Sequence, residues 1–167
     1  GVQTCALPIC RTALVTGGSR GIGRMIAEGF AEAGAKLLIC ARDRSACQAV
    51  ADELRARGAN CHARRCDITN AEEVHELVAF AYRTFGRIDV LVNNAGYGDL
   101  SLFEESTADD VRAQYDTNVF GLMHVTRAVL PGMRAQRSGR RSRPGCTPCG
   151  RTRSRRSRAC RRASRAP

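Results

Sequence analysis

Residues Thr16 to Gly23 read Thr-Gly-Gly-Ser-Arg-Gly-Ile-Gly. Glycines at this spacing permit a tight turn, a close approach of backbone to a pyrophosphate, and close packing of a helix on a strand. A helix opening at this point turns its first free amides and its partial positive charge toward phosphate oxygens. The spacing departs from Gly-x-Gly-x-x-Gly, so the signal comes from its place after a strand and before a helix. Two other clusters point to chemistry less well. Cys146 and Cys149 form one Cys-x-x-Cys with only Cys160 downstream and no nearby histidine, which does not complete a tetrahedral zinc set. His62, His75 and His124 are dispersed, and no metal ligands are expected.

The elements that must hold the glycine loop follow from hydrophobic period. From Arg11 onward, strand-like runs alternate with helical spacing, the pattern of a parallel sheet joined by crossover helices. Thr12 to Val15 predicts a buried strand, followed by a helix with Ile22, Met25, Ile26 and Phe30 on its inner face and Gly34 as its stop. Lys36 to Cys40 predicts a second strand, and Ser45 to Arg57 a helix with Val50 and Leu54 inward and Gly58 at its end. Cys61 to Cys66 is a weaker third strand. Asn70 is suited to cap a helix in which Val74, Leu77, Val78, Ala81 and Phe85 share a face, closed by Gly86. Ile88 to Val92 predicts the fourth strand, and Asn93-Asn94-Ala95-Gly96 follows at its carboxyl end. A last helical region, capped by Thr107, runs to about Gln136 with a break near Asn118.

The glycine loop and Asn93 to Gly96 together resemble the motifs of the short-chain dehydrogenase/reductase (SDR) family, namely Thr-Gly-x-x-x-Gly-x-Gly and Asn-Asn-Ala-Gly. The resemblance covers Arg11 to about Arg137 and implies a Rossmann-like α/β fold. In it, about four parallel strands in the order 3-2-1-4 form the amino-terminal part of a doubly wound sheet, with the cofactor crevice at the switch point between strands 1 and 4. It implies cofactor contacts at Thr16, Gly17, Ser19, Arg20, Gly21, Ile22 and Gly23. Asp67 matches the acid that meets the adenine amino group, with Ile68 beside it, and Asn94, Ala95 and Gly96 line the ribose side. Asn118, within Asp116-Thr117-Asn118-Val119-Phe120-Gly121, matches the catalytic asparagine that distorts a helix and holds a water in a proton relay. The family transfers hydride between a nicotinamide cofactor and a carbonyl or alcohol carbon. An acid at the end of the second strand selects NAD by accepting from the ribose hydroxyl. Ala41 stands there, followed by Arg42, and with Arg20 these cations favour NADP over NAD.

The family's chemistry also needs a serine, and a tyrosine followed four residues later by a lysine that lowers the phenol's pKa from near 10. Lys36 is the only lysine, and positions four after Tyr82, Tyr97 and Tyr115 are Gly86, Ser101 and Val119. The expectation is an inactive chain lacking the catalytic half. Residues 138–167 hold eleven of the 27 basic residues, no acid, and no Val, Ile, Leu, Met, Phe, Tyr or Trp. The remaining 16 bases balance the 16 acids, so a neutral domain (11–137) precedes a cationic tail. The tail is expected to be disordered for want of apolar surface and to arise from a shifted reading frame. Residues 1–10 are expected to be an unstructured leader resembling a translated sequencing adapter. Nine cysteines, an odd and irregular set, favour a reducing cytoplasm over a disulfide scaffold. No apolar run approaches the roughly 20 residues of a membrane span. A noncatalytic nucleotide-binding module, or RNA binding through the arginine-serine tail, is the alternative. The tail lacks the aromatics that stack on bases, so nucleic acid is not an expected partner. Family members often form homo-oligomers, which this chain is not expected to assemble.

Overall fold

Strand β1, Thr12–Thr16, buries all five of its side chains, as a strand covered by helices on both faces must. The structure is a computed structural model and describes residues 11–102 and 104–138. After β1 come α1 (Gly21–Glu32), β2 (Lys36–Ala41), α2 (Arg44–Ala56), β3 (Cys61–Arg65), α3 (Ala71–Phe85) and β4 (Val90–Val92). Helix α4 (Ala108–Tyr115) then runs through a π-helical segment, Asp116–Gly121, into α5 (Leu122–Ser138). The four strands are parallel in the order β3-β2-β1-β4, the order expected for a Rossmann-like sheet. The leader, and the tail beyond Ser138, lie outside the described residues.

Two cores flank the sheet. Leu14, Leu38 and Cys40 meet Val74, Leu77, Val78, Ala81, Val125 and Val129 of α3 and α5 on one face. Ala13, Val15, Leu37 and Ile39 meet Ala27, Cys47, Val50, Ala51 and Leu54 of α1 and α2 on the other. Sequence-local caps set the helix starts: Asp43 accepts from the Ala46 amide, Asn70 from Glu72 and Glu73, and Thr107 forms a reciprocal capping box with Asp110. Gly86, at φ 74°, closes α3.

Two expectations need correction. The buried face of α1 is Gly23 and Ala27, with Ile26 and Phe30 half-buried against the core, while Ile22 and Met25 are 71% and 68% exposed. The helix rides so close to the glycine loop on its small residues that its larger apolar side chains rotate outward. The fourth strand begins at Val90, not Ile88. Asp89, gripped by Arg87, accepts from the Thr12 amide at 2.9 Å, so a side chain takes up the donor that would have extended the ladder.

Candidate nucleotide site

The carboxyl ends of β1, β2, β3 and β4 open into one cleft of about 320 Å³. Gly17, Ser19, Arg20, Ile22 and Gly23 form its floor and near wall; Ala41, Arg42 and Asp43 one side; Asp67 and Ile68 another; and Asn94, Ala95 and Gly96 the far rim. Sequence-predicted positions from four separate segments therefore converge.

The glycines act for different reasons. Gly17 holds φ +69° with its Cβ direction against the Ala95 backbone at 2.9 Å, and a Cβ on Gly23 would lie 2.2 Å from the Gly17 carbonyl oxygen. The loop can fold under the first turn of α1 only because both lack side chains. At the head of that helix Arg20 is the N-cap without a side-chain hydrogen bond, and no acid occupies the first turn. The amides of α1 thus lack the side-chain cap that α2, α3 and α4 each possess. Uncapped helix amides beside two exposed guanidiniums suit a dinucleotide's pyrophosphate, so the residues present fit such a group.

Thr16 does not line the cleft. It is 1% exposed, and its hydroxyl donates to the Val92 carbonyl and accepts from the amides of Asn94 and Ala95. Asn94 in turn donates from Nδ2 to the carbonyls of Thr16 and Gly17. These two side chains lock the end of β4 to the glycine loop. Gly21, at φ +53°, supports the turn rather than the wall.

Asp67 reaches the cleft with one carboxylate oxygen accepting from the amide and hydroxyl of Thr69. Ile68 is 5% exposed and belongs to the core; its side chain lies 2.7 Å from where a Cβ of Gly121 would stand, so it seats the π segment. Asn118 sits within that segment and accepts from the Tyr97 amide at 3.0 Å while donating to the Tyr97 carbonyl at 2.7 Å. Its carboxamide is thus committed to the loop after β4. A π turn at this point agrees with the break expected near Asn118, and such turns cluster at functional sites.

Several lining residues were not assigned from sequence. Tyr97 and Thr117 join the rim, each next to a motif residue, and that adjacency was the available signal. Cys40 and Cys66 lie beneath the cleft floor. A hydrogen bond with Cys66, reinforced by burial, pushes the Cys40 thiol well up, which makes it a packing residue rather than a nucleophile. Asp43 is held below the usual carboxylate range by the Ala46 amide and the Ser45 hydroxyl. Among the described residues no three His, Cys, Asp or Glu side chains could hold a metal, and no helix is long and apolar enough to cross a membrane.

Fold and cleft together define a nucleotide-binding α/β domain. The family model for short chain dehydrogenases matches residues 11–140. The 7alpha-hydroxysteroid dehydrogenase of Escherichia coli (strain K12) is 40% identical over 129 residues, 77% of this chain and 50% of that protein. A short-chain dehydrogenase/reductase from Burkholderia phymatum, solved in complex with NAD, superposes with a TM-score of 0.73 at 36% identity, over 75% of this chain and 45% of that one. A 7 alpha-hydroxysteroid dehydrogenase complexed with NADH and 7-oxo glycochenodeoxycholic acid gives 0.72 at 38% identity, over 75% and 49%. This chain belongs to the short-chain dehydrogenase family. It spans about half the length of the curated relatives it matches.

Proposed function

We propose that residues 11–137 are the dinucleotide-binding part of an NADP-dependent oxidoreductase that moves hydride between cofactor and a small carbonyl or alcohol substrate. When bound, the nicotinamide would give hydride to a carbonyl carbon or take it from an alcohol carbon. Gly17, Ser19, Gly23 and the first amides of α1 hold the pyrophosphate, Asp67 and Ile68 flank the adenine, and Asn94 to Gly96 shape the ribose side.

The observation that carries the NADP reading is the end of β2. Ala41 offers no side-chain acceptor there, Arg42 and Arg20 both border the cleft, and Oδ1 of Asp43, two residues further on, is engaged in capping α2. A carboxylate so occupied is poorly placed to accept from a ribose hydroxyl, whereas guanidinium forks suit a 2′-phosphate. The similar proteins solved with NAD and NADH make direct comparison of the two cofactors the necessary test. Titration of NADPH and NADH into the chain, followed by nicotinamide fluorescence, should show Arg42→Ala weakening NADPH about tenfold or more, with little change for NADH. Equal weakening of both would sink the NADP assignment.

Within these 167 residues no tyrosine is followed four residues later by lysine, so we expect no turnover of ketones by this chain itself. NADPH oxidation with a ketone panel that included 7-oxo steroids, and that vanished in Asn118→Ala, would refute this. A cytoplasmic location fits the reading and the free thiols of Cys40, Cys47, Cys61 and Cys66 among the described residues. The family match does not favour an RNA-binding role for residues 138–167.

A further inference from the structure

The described sheet ends at β3, and the groove along its open side is strongly basic. Arg44 and Arg55 reach it from α2, Arg64 and Arg65 from β3 itself, and Arg83 from α3, against Glu73 and Glu76. Glu73 neutralises Arg65 at 2.7 Å and Asp52 holds Arg55. Among the described residues, Arg44, Arg64 and Arg83 form no ion pair. The Arg64 guanidinium carbon sits over the Phe80 ring, 3.9 Å from its centroid, so its charge is held in place rather than free to reorient. His62, edge-on to Phe80 and Phe85, is held below its usual pKa first by burial and then by the Arg55 and Arg64 charges.

The backbone at this edge is also open. Leu37 donates to the Asn60 carbonyl and Cys66 to that of Ala41, which fixes the ladder with His62 and Arg64 turned inward to β2. In a parallel pair the intervening residues, Cys61, Ala63 and Arg65, aim their N–H and C=O groups away from β2. We propose that this edge is a docking site for an extended acidic segment of a partner protein, which adds to the sheet as a further strand.

Charge selects the occupant. A second copy would set Arg64 and Arg65 against their own kind, and residues 138–167 of this chain carry eleven arginines and no acid. Nucleic acid fits less well, because Arg64 already covers the groove's Phe80 face, leaving no platform for base stacking. An extended peptide uses the outward backbone groups as main-chain partners while carboxylates on alternate side chains meet guanidiniums from α2 and α3.

Fluorescence anisotropy with the whole chain and a fluorescein-labelled Glu-Thr repeat decapeptide tests this. Saturable binding is expected at about 10–100 µM, weakened about fivefold by Arg64→Ala and again by Arg83→Ala. The same decapeptide N-methylated at every backbone amide keeps the charge but lacks the N–H donors and should bind far less. In wild type, peptide should protect the Ala63 and Arg65 amides from hydrogen exchange. Equal binding of the N-methylated peptide, tighter binding of oligouridylate, or absence of amide protection would each overturn the proposal. So would affinity indifferent to both arginine substitutions, which would place the binding on the arginine-rich segment instead.

Discussion

Asn94 ties two strands together through Thr16: its Nδ2 donates to the Thr16 carbonyl at 3.0 Å, and its own amide donates to the Thr16 hydroxyl at the same distance. The link spans 78 residues of chain and fixes the glycine loop against the end of β4. Asn94→Leu leaves two part-buried carbonyls without their donor, so a stability loss of about 1–3 kcal/mol is expected in urea unfolding. Dinucleotide affinity should fall with it, because the loop loses its brace. An unchanged midpoint would show that water replaces the carboxamide freely.

Two glycines of α1 should respond in opposite directions to alanine. A Cβ on Gly23 meets the Gly17 oxygen at 2.2 Å and the Asn94 Nδ2 at 2.3 Å, whereas on Gly29 it meets nothing within 4 Å. Gly23→Ala should destabilise by about 1–3 kcal/mol through overpacking. Gly29→Ala should stabilise by up to about 1 kcal/mol from helix propensity alone. Thermal melts of the two variants side by side check both.

Asn118→Ala removes both bonds to Tyr97 without touching the core. The expected result is faster hydrogen exchange at the Tyr97 amide, spreading into the loop before α4, with little change at β1 and β2. Exchange unchanged at Tyr97 would mean the loop is held by other contacts.

His62 should make stability fall as pH is lowered from about 7 to 5. Its folded pKa lies below the ordinary 6.5, by burial first and by Arg55 and Arg64 next. In that window the unfolded chain takes up the proton first, which favours unfolding. His62→Gln should flatten this part of the profile. The acid limb set by Asp43, Asp52 and Glu73, carboxyls held low by hydrogen bonds and arginines, belongs to lower pH and should remain.

Alkylation should separate the cysteines by burial. Cys40, Cys47, Cys61 and Cys66 are buried free thiols, with Cys47 pushed up to about 11 and Cys61 to about 12, chiefly by burial. Iodoacetamide at pH 7.5 should leave all four unmodified in the native protein and label them in urea, as peptide mass spectrometry would show. Rapid native labelling at Cys40 would contradict the packing described for the cleft floor.

Much of the fold was legible because its signals are local. Asn70 and Thr107 cap the helices expected of them, and Val74 to Phe85 present the apolar face that period 3.6 requires. Local pattern failed at α1, where Ile22 and Met25 read as core but face outward. What decided that helix's rotation was the packing of Gly23 against a carbonyl six residues earlier, where an added Cβ would lie 2.2 Å from the oxygen, and hydrophobicity does not register this. Asp89 shortened β4 for a similar reason, through a side-chain bond to a residue 77 positions away.

The amino-acid sequence by itself determined the alternation of strands and helices, the family motifs and the absence of a Tyr-x-x-x-Lys pair. These depend on residue type, spacing and local backbone preference. Only the tertiary structure decided that Thr16 works inside the fold rather than on the cleft, that Asn118 grips Tyr97, and that arginines from α2, β3 and α3 share one edge. Each of these depends on hydrogen-bond or charge partners brought near by the packing of elements far apart in the chain, and local sequence pattern carries no information about them.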